Sequence, residues 1–115
     1  ILITAYSSLG SPDRPLYGES DPVLMEQPLV KEIAKKRNCS PAQALLAWGL
    51  LYGCPVLPKS VNDGRIQQNL ETFNVKLEEE DVKALQKIGK RFRYLKMVIF
   101  YLEGQTAEMY WDGEQ

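Results

Sequence analysis

The 115-residue chain contains no histidine, and no other gap in its composition removes as much chemistry. Without imidazole there is no Ser-His-Asp or Cys-His relay, no histidine-containing metal site, and no side chain poised near neutrality as a general base. Cysteine is scarce: Cys39 and Cys54 are the only two. Their spacing fits neither a C-x-x-C pair, a zinc pattern nor a disulfide framework, so both are expected to be buried or half-buried structural thiols. An excess of one charge is missing too, with Lys+Arg 14 against Asp+Glu 15 and a formal net charge of -1. Nucleic-acid binding needs concentrated cations, so no nucleic-acid partner is expected. No apolar run approaches the ~20 residues of a membrane span, and the first residues lack the basic start and cleavage pattern of a signal peptide. A cytoplasmic chain with no membrane partner is the expectation. There is no initiating methionine, and residues 1–6 open directly in a strand-like run, as expected of a chain with something upstream removed.

What is present reads as a folded protein. Hydrophobic residues make up 44% and charged residues 25%, the balance of a packed domain rather than a disordered segment. Residues 1–6, rich in β-formers, predict a buried strand; the turn-forming cluster from Ser7 to Asp13 then opens a long loop to about Pro22. Over residues 28–37, Leu29, Val30, Ile33 and Ala34 share one helical face and Lys31, Glu32, Lys35 and Lys36 the other, with Asn38 as the stop. Ser40, Pro41 and Gln43 form a helix start: a serine N-cap, proline at the first helical position and a glutamine able to return a hydrogen bond. That helix should run to about Tyr52 and end near Gly53. The proline-bounded run 54–58 predicts a second short buried strand. Residues 59–64 form a polar loop into a short helix over 65–70, and Leu77, Val82, Leu85 and Ile88 mark another, ending at Gly89. The acidic first turn of that last helix, Glu78 to Asp81, complements the helix dipole and is read as solvated, not as a metal site. The order strand, helices, strand, helices indicates an α/β arrangement with parallel strands, whose following loops face the same end.

Residues 90–115 change character. Base and aromatic residues interleave from Arg91 to Leu102, and a polar tail carries Tyr110 and Trp111. A segment packing over a pocket fits better than a nucleic-acid surface, and Val98 to Leu102 left uncovered would be a β-prone aggregation hazard.

The two loops after the strands carry the chemistry. Lys59, Ser60 and Arg65 put two fixed cations and a hydroxyl within a few residues, a set suited to a phosphate monoester because charge-assisted hydrogen bonds are worth about 1.5–3 kcal/mol each. Spacing alone also fits an ordinary solvated βα loop. In the first loop, Tyr6 offers a ring for stacking, and Ser7, Gly10 and Ser11 offer donors to a pyrophosphate. Gly10 lies in no G-x-G-x-x-G pattern, so a Rossmann site is excluded.

Thr4 to Pro15, then Ser40-Pro41-Ala42-Gln43, Leu57-Pro58-Lys59-Ser60-Val61 and Arg65-Ile66-x-x-Asn69, closely resemble the C-terminal portion of the aldo-keto reductases. Asp21-Pro22-Val23-Leu24 and the Arg93-Tyr94 pair are most similar to the animal aldehyde reductase branch. The resemblance covers about residues 1–97. It implies an α/β chain forming a C-terminal fragment of a (β/α)8 TIM barrel, about the last two β/α units, with residues 90–115 as the C-terminal substrate loop and tail. At 115 residues, the chain is under half of the roughly 250 such a barrel needs.

The resemblance also implies NADP(H) as cofactor, a small-molecule carbonyl as substrate of the intact enzyme, and a mostly monomeric state. By that resemblance Tyr6 stacks on the nicotinamide, and Ser7, Leu9 and Ser11 lie in the loop over the pyrophosphate. Lys59, Ser60 and Arg65 hold the 2′-phosphate, with the Val61 backbone nearby. Gln68 and Asn69 face the adenine, Gln68 standing where relatives carry glutamate. Ser8 replaces a common proline, and Phe92 a common tryptophan. The family's catalytic aspartate, tyrosine, lysine and histidine come from the first half of the barrel, so none is expected here and the chain alone should be inactive. A different class of reading is a non-catalytic nucleotide-binding or protein-interaction module.

Overall fold

The computed structural model describes residues 1–12, 18–89, 92–94 and 102–110. Its regular elements are helices: α1 (Pro28–Lys36), α2 (Pro41–Leu51), α3 (Asp63–Glu71), α4 (Glu79–Gln86) and α5 (Ala107–Tyr110). Single 3-10 turns lie at Leu24–Glu26 and Thr72–Asn74. Among the described residues no helix is long and apolar enough to cross a membrane.

The first two helices begin and end where local signals place them. In α1, Val30, Ile33 and Ala34 are buried on one face. Asn38 then turns left-handed at φ 52, and the helix closes with Asn38 N–H donating to Lys35 O at 3.2 Å and Cys39 N–H to Ala34 O at 2.9 Å. That is a Schellman closure, which satisfies carbonyls a helix end would otherwise leave bare. The predicted capping box of α2 is present: Gln43 N–H donates to Ser40 Oγ at 3.2 Å, and Ser40 N–H to Gln43 Oε1 at 3.0 Å. α2 buries Ala44, Leu45, Leu46 and Ala47 in succession, so it is apolar around most of its circumference and lies inside the structure. Gly53, at φ 80, closes it.

The core joins α1, α2 and α4 through Val30, Ile33, Ala34, Ala44, Leu45 and Leu85, with Leu9, Leu24, Trp48 and Ile88 packed against it. Cys39 and Cys54 are free and half-buried, as expected, and burial pushes the Cys39 thiol upward.

The strands differ from expectation. The two buried strands anticipated at 1–6 and 54–58 reduce, among the described residues, to one parallel bridge between Ala5 and Val56, with Ala5 N–H donating to Pro55 O at 2.8 Å. Ile1, Leu2, Ile3 and Leu57 are exposed. The parallel sense is as anticipated; the burial is not, because a lone pair of extended segments has no further strands against which to cover its faces.

The acidic turn also requires a correction. Glu78, Glu79 and Glu80 are solvated as read, but the Asp81 side chain is only 2% exposed. It accepts from Arg37 Nε at 2.5 Å, Lys36 Nζ at 3.2 Å and the Glu78 N–H at 2.9 Å, tying the end of α1 to the start of α4. Burial pushes the Asp81 carboxyl upward, but the Arg37, Glu78 and Lys36 hydrogen bonds outweigh it, and the net displacement is below the usual carboxylate value. A depressed carboxyl contributes stability above its unfolded pKa of about 3.9, and loses it as pH falls through the folded value. Chemical denaturation at stepped pH should therefore show stability declining below about pH 4, and Asp81→Asn should flatten that decline. At neutral pH the substitution should cost about 2 kcal/mol, after discounting for the water that reaches Lys36 and Arg37. An unchanged acid limb in the variant would reject Asp81 as its origin.

Candidate functional site

The parallel bridge brings the two extended segments side by side, so the loops that follow them leave at the same end. The first loop doubles back on itself: Gly10 N–H donates to Ser7 O at 2.8 Å, Ser11 Oγ donates to Ser7 Oγ at 2.7 Å, and Ser8 Oγ donates to Ala5 O at 3.2 Å. Ser7 and Ser11 both adopt positive φ, 56 and 44 respectively, an unusual conformation for residues with a Cβ.

The second loop is ordered around Ser60 and Asn62. Asn62 N–H donates to Ser60 Oγ at 3.1 Å, and the Asn62 side chain accepts from Arg65 N–H at 3.0 Å as the N-cap of α3. This moves the start of α3 from the expected Arg65 back to Asp63, because asparagine is among the strongest caps. Arg65 thus stands in the first turn of the helix, and its backbone N–H is already used. Asn69 Nδ2 donates to Pro58 O at 3.4 Å, fixing α3 against the segment before it.

Between the loops lies a groove of about 870 Å³, within the ~300–1,000 Å³ typical of small-molecule sites. Tyr6, Ser7, Leu9 and Ser11 line one wall; Lys59, Ser60, Arg65, Gln68 and Asn69 line the other. Two candidate residues are not in the lining: Val61, which is 85% exposed, and Gly10, which was expected to offer a donor to a pyrophosphate and is buried on the far side of its loop. Among the described residues no carboxylate pairs with Lys59 or Arg65. Tyr6 is exposed and half-buried Leu9 packs on the core, so the first wall presents a free ring beside hydroxyls. The groove therefore sets an exposed ring and hydroxyls on one wall against two cations on the other. Charge-assisted hydrogen bonds are available at the cationic end.

Two further segments of the lining were not anticipated as site residues. Met25 and Glu26 come from the 3-10 turn after the long loop, where no local signal marks an element; Glu26 is paired with Lys31. Ser40 to Ala42, read only as a helix start, also face the groove. The basic and aromatic stretch from Arg91 to Leu102 lies largely outside the described residues. Of it, Phe92 and Tyr94 meet edge to face with centroids 5.0 Å apart, and Leu102 is exposed.

The described residues thus combine helices with one parallel bridge between the segments that precede the two groove-lining loops. The family model described as the Aldo/keto reductase family matches residues 18–90, and the chain belongs to that family. It is 40% identical over 95 residues to aldo-keto reductase family 1 member A1-A of Danio rerio, covering 83% of this chain and 29% of that protein. Against family 1 member A1 of Gallus gallus the identity is 43% over 95 residues, covering 83% and 29%. An aldo/keto reductase of Synechocystis is 36% identical over 116 residues, covering 97% of this chain and 36% of that protein. The animal matches bear out the resemblance to the aldehyde reductase branch. The chain spans 29% to 36% of the length of these relatives. The family domain is a (β/α)8 barrel, and the helices and single parallel bridge seen here agree with part of one.

Proposed function

We propose that this chain is the C-terminal part of an NADPH-dependent oxidoreductase that reduces aldehydes or ketones to alcohols, and that its groove holds NADP(H). The observation that carries this reading is the gathering of Tyr6 and the 6–12 loop on one wall and unpaired Lys59 and Arg65 on the other. Tyr6 would stack on the nicotinamide, Ser7, Leu9 and Ser11 would lie along the pyrophosphate, and Lys59, Ser60 and Arg65 would take the 2′-phosphate. Gln68 and Asn69 would face the adenine, and the Val61 backbone would border the phosphate. Ser60 Oγ accepts from Asn62 N–H at 3.1 Å and donates to Asn62 O at only 3.4 Å, so its hydroxyl would turn from that long contact to donate to a phosphate oxygen. When bound, the cofactor supplies the hydride that a carbonyl carbon receives. This chain's residues bind and orient; the family resemblance puts the tyrosine that protonates the carbonyl oxygen outside them.

The setting proposed for the intact protein is a cytoplasmic, monomeric enzyme acting on a small carbonyl compound, with no nucleic-acid or membrane partner. Calorimetry of the purified chain with NADP⁺ is expected to give micromolar or tighter binding, and no detectable heat would refute the groove assignment. With NADPH and a panel of aldehydes the chain alone should show no turnover. Carbonyl-dependent NADPH oxidation by it would show that a proton donor is present after all.

A second reading, a non-catalytic nucleotide-binding module, is favoured by the same groove occurring in a chain without imidazole. A transcript encoding an upstream barrel half supports the enzyme, and one that opens at Ile1 supports the module.

A further inference from the structure

The loop over residues 7–12 is a wall with two sides. Its front faces the groove; behind it lies a second, apolar cavity of about 130 Å³ bounded by Leu9, Gly10, Leu24 and Tyr94. Leu9 and Pro12 line both spaces, so whatever presses on the back of the loop sets the shape of its front. Gly10 is buried and adopts φ 81; a Cβ there would come within 3.3 Å of both Tyr94 Cε1 and Leu24 Cβ. The Tyr94 ring therefore lies against the loop backbone, where a Cβ would force the ring to give by a few tenths of an ångström. The ring is itself braced edge-on by Phe92.

The loop needs such backing. Ser7 and Ser11, both groove-lining, hold positive φ, and strained conformations of that kind persist only where the surroundings over-determine them. Relaxing them would swing the very hydroxyls and backbone groups that the proposed function sets along a pyrophosphate.

We infer that Tyr94 is a positioning residue: its ring latches the 7–12 loop through Gly10 and so holds the first wall of the groove in its ligand-binding shape. This rests on the proposed function for its ligand, though not for the latch itself. Tyr94 does not line the groove; its ring meets the loop at Gly10. Its loss should therefore weaken NADP⁺ and NAD⁺ by the same factor, whereas loss of a 2′-phosphate cation affects NADP⁺ alone.

The test compares the unmutated chain, Tyr94→Ala and Tyr94→Phe by amide hydrogen exchange and by titration with both dinucleotides. Tyr94→Ala should speed exchange of the Gly10 amide by about tenfold or more, leave the Val30 and Leu46 amides unchanged, and weaken both dinucleotides about tenfold. Tyr94→Phe, which keeps the ring, should restore both readouts. Unchanged Gly10 exchange in Tyr94→Ala, or a rise shared equally by Val30 and Leu46, would overturn the latch. If the unmutated chain binds neither dinucleotide, the proposed function fails and Gly10 exchange alone decides the latch.

Discussion

Lys59→Ala and Arg65→Ala are each expected to weaken NADPH by roughly 10- to 150-fold while changing NADH by about twofold or less. The range follows from 1.5–3 kcal/mol for a charge-assisted hydrogen bond, at 1.4 kcal/mol per factor of ten. Neither cation is paired with a carboxylate among the described residues. Removing one therefore frees no buried acid and should leave the thermal transition close to unchanged, so the loss reads as recognition rather than unfolding. Arg65→Lys should recover only part of it, because an ammonium cannot reproduce the two-pronged contact of a guanidinium. Fluorescence titration with both dinucleotides measures the effect. Equal losses for NADPH and NADH would move the phosphate assignment away from these two side chains.

The second large effect concerns association. Ile1, Leu2, Ile3 and Leu57 are exposed beside the lone parallel bridge, with Leu57 at 72%. Each buried aliphatic side chain is worth about 1.5–3 kcal/mol, and domains are stable by only ~5–15 kcal/mol, so a few uncovered ones are a large fraction of the total. Among the described residues, both edges of the extended pair are also open to pairing with another chain. The helical core is different: Val30 and Leu46 are fully buried, α1 is closed at its C-terminus and α2 is capped at its start and closed at its end. The purified chain should hold a protected helical core while self-associating through its extended segments. Sedimentation velocity should show species growing with concentration and an apolar dye should bind. Ile3→Lys combined with Leu57→Lys should return the chain toward monomer. A monomer that stays dye-silent at high concentration would contradict this.

How much of this was readable beforehand depended on the distance over which each feature is decided. The capping box at Ser40 and the stop at Asn38 are settled within a few residues, so both ends were legible. α3 starts two residues before the predicted Arg65 because Asn62, inside the run read as polar loop, caps it. Asp81 looked like its solvated neighbours; its burial is decided by Arg37, which is remote along the chain and adjacent in space. Residues 1–6 read as buried because apolar runs usually are, yet burial of a strand belongs to its neighbours, and here it has one. The groove was legible as two loops, since parallel segments put both at one end. The contribution of Met25, Glu26 and the start of α2 was not, because nothing local directs those residues toward it.

The central claim is that the Lys59 and Arg65 end of the groove recognises a phosphate on the adenosine ribose. The most direct measurement is amide NMR of the chain, at low micromolar concentration, titrated with adenosine 2′,5′-bisphosphate and separately with 5′-AMP. Saturable shifts are expected at Ser60, Val61 and Arg65 with the bisphosphate and far smaller ones with 5′-AMP. Equal shifts for both ligands, or shifts confined to other segments, would contradict it.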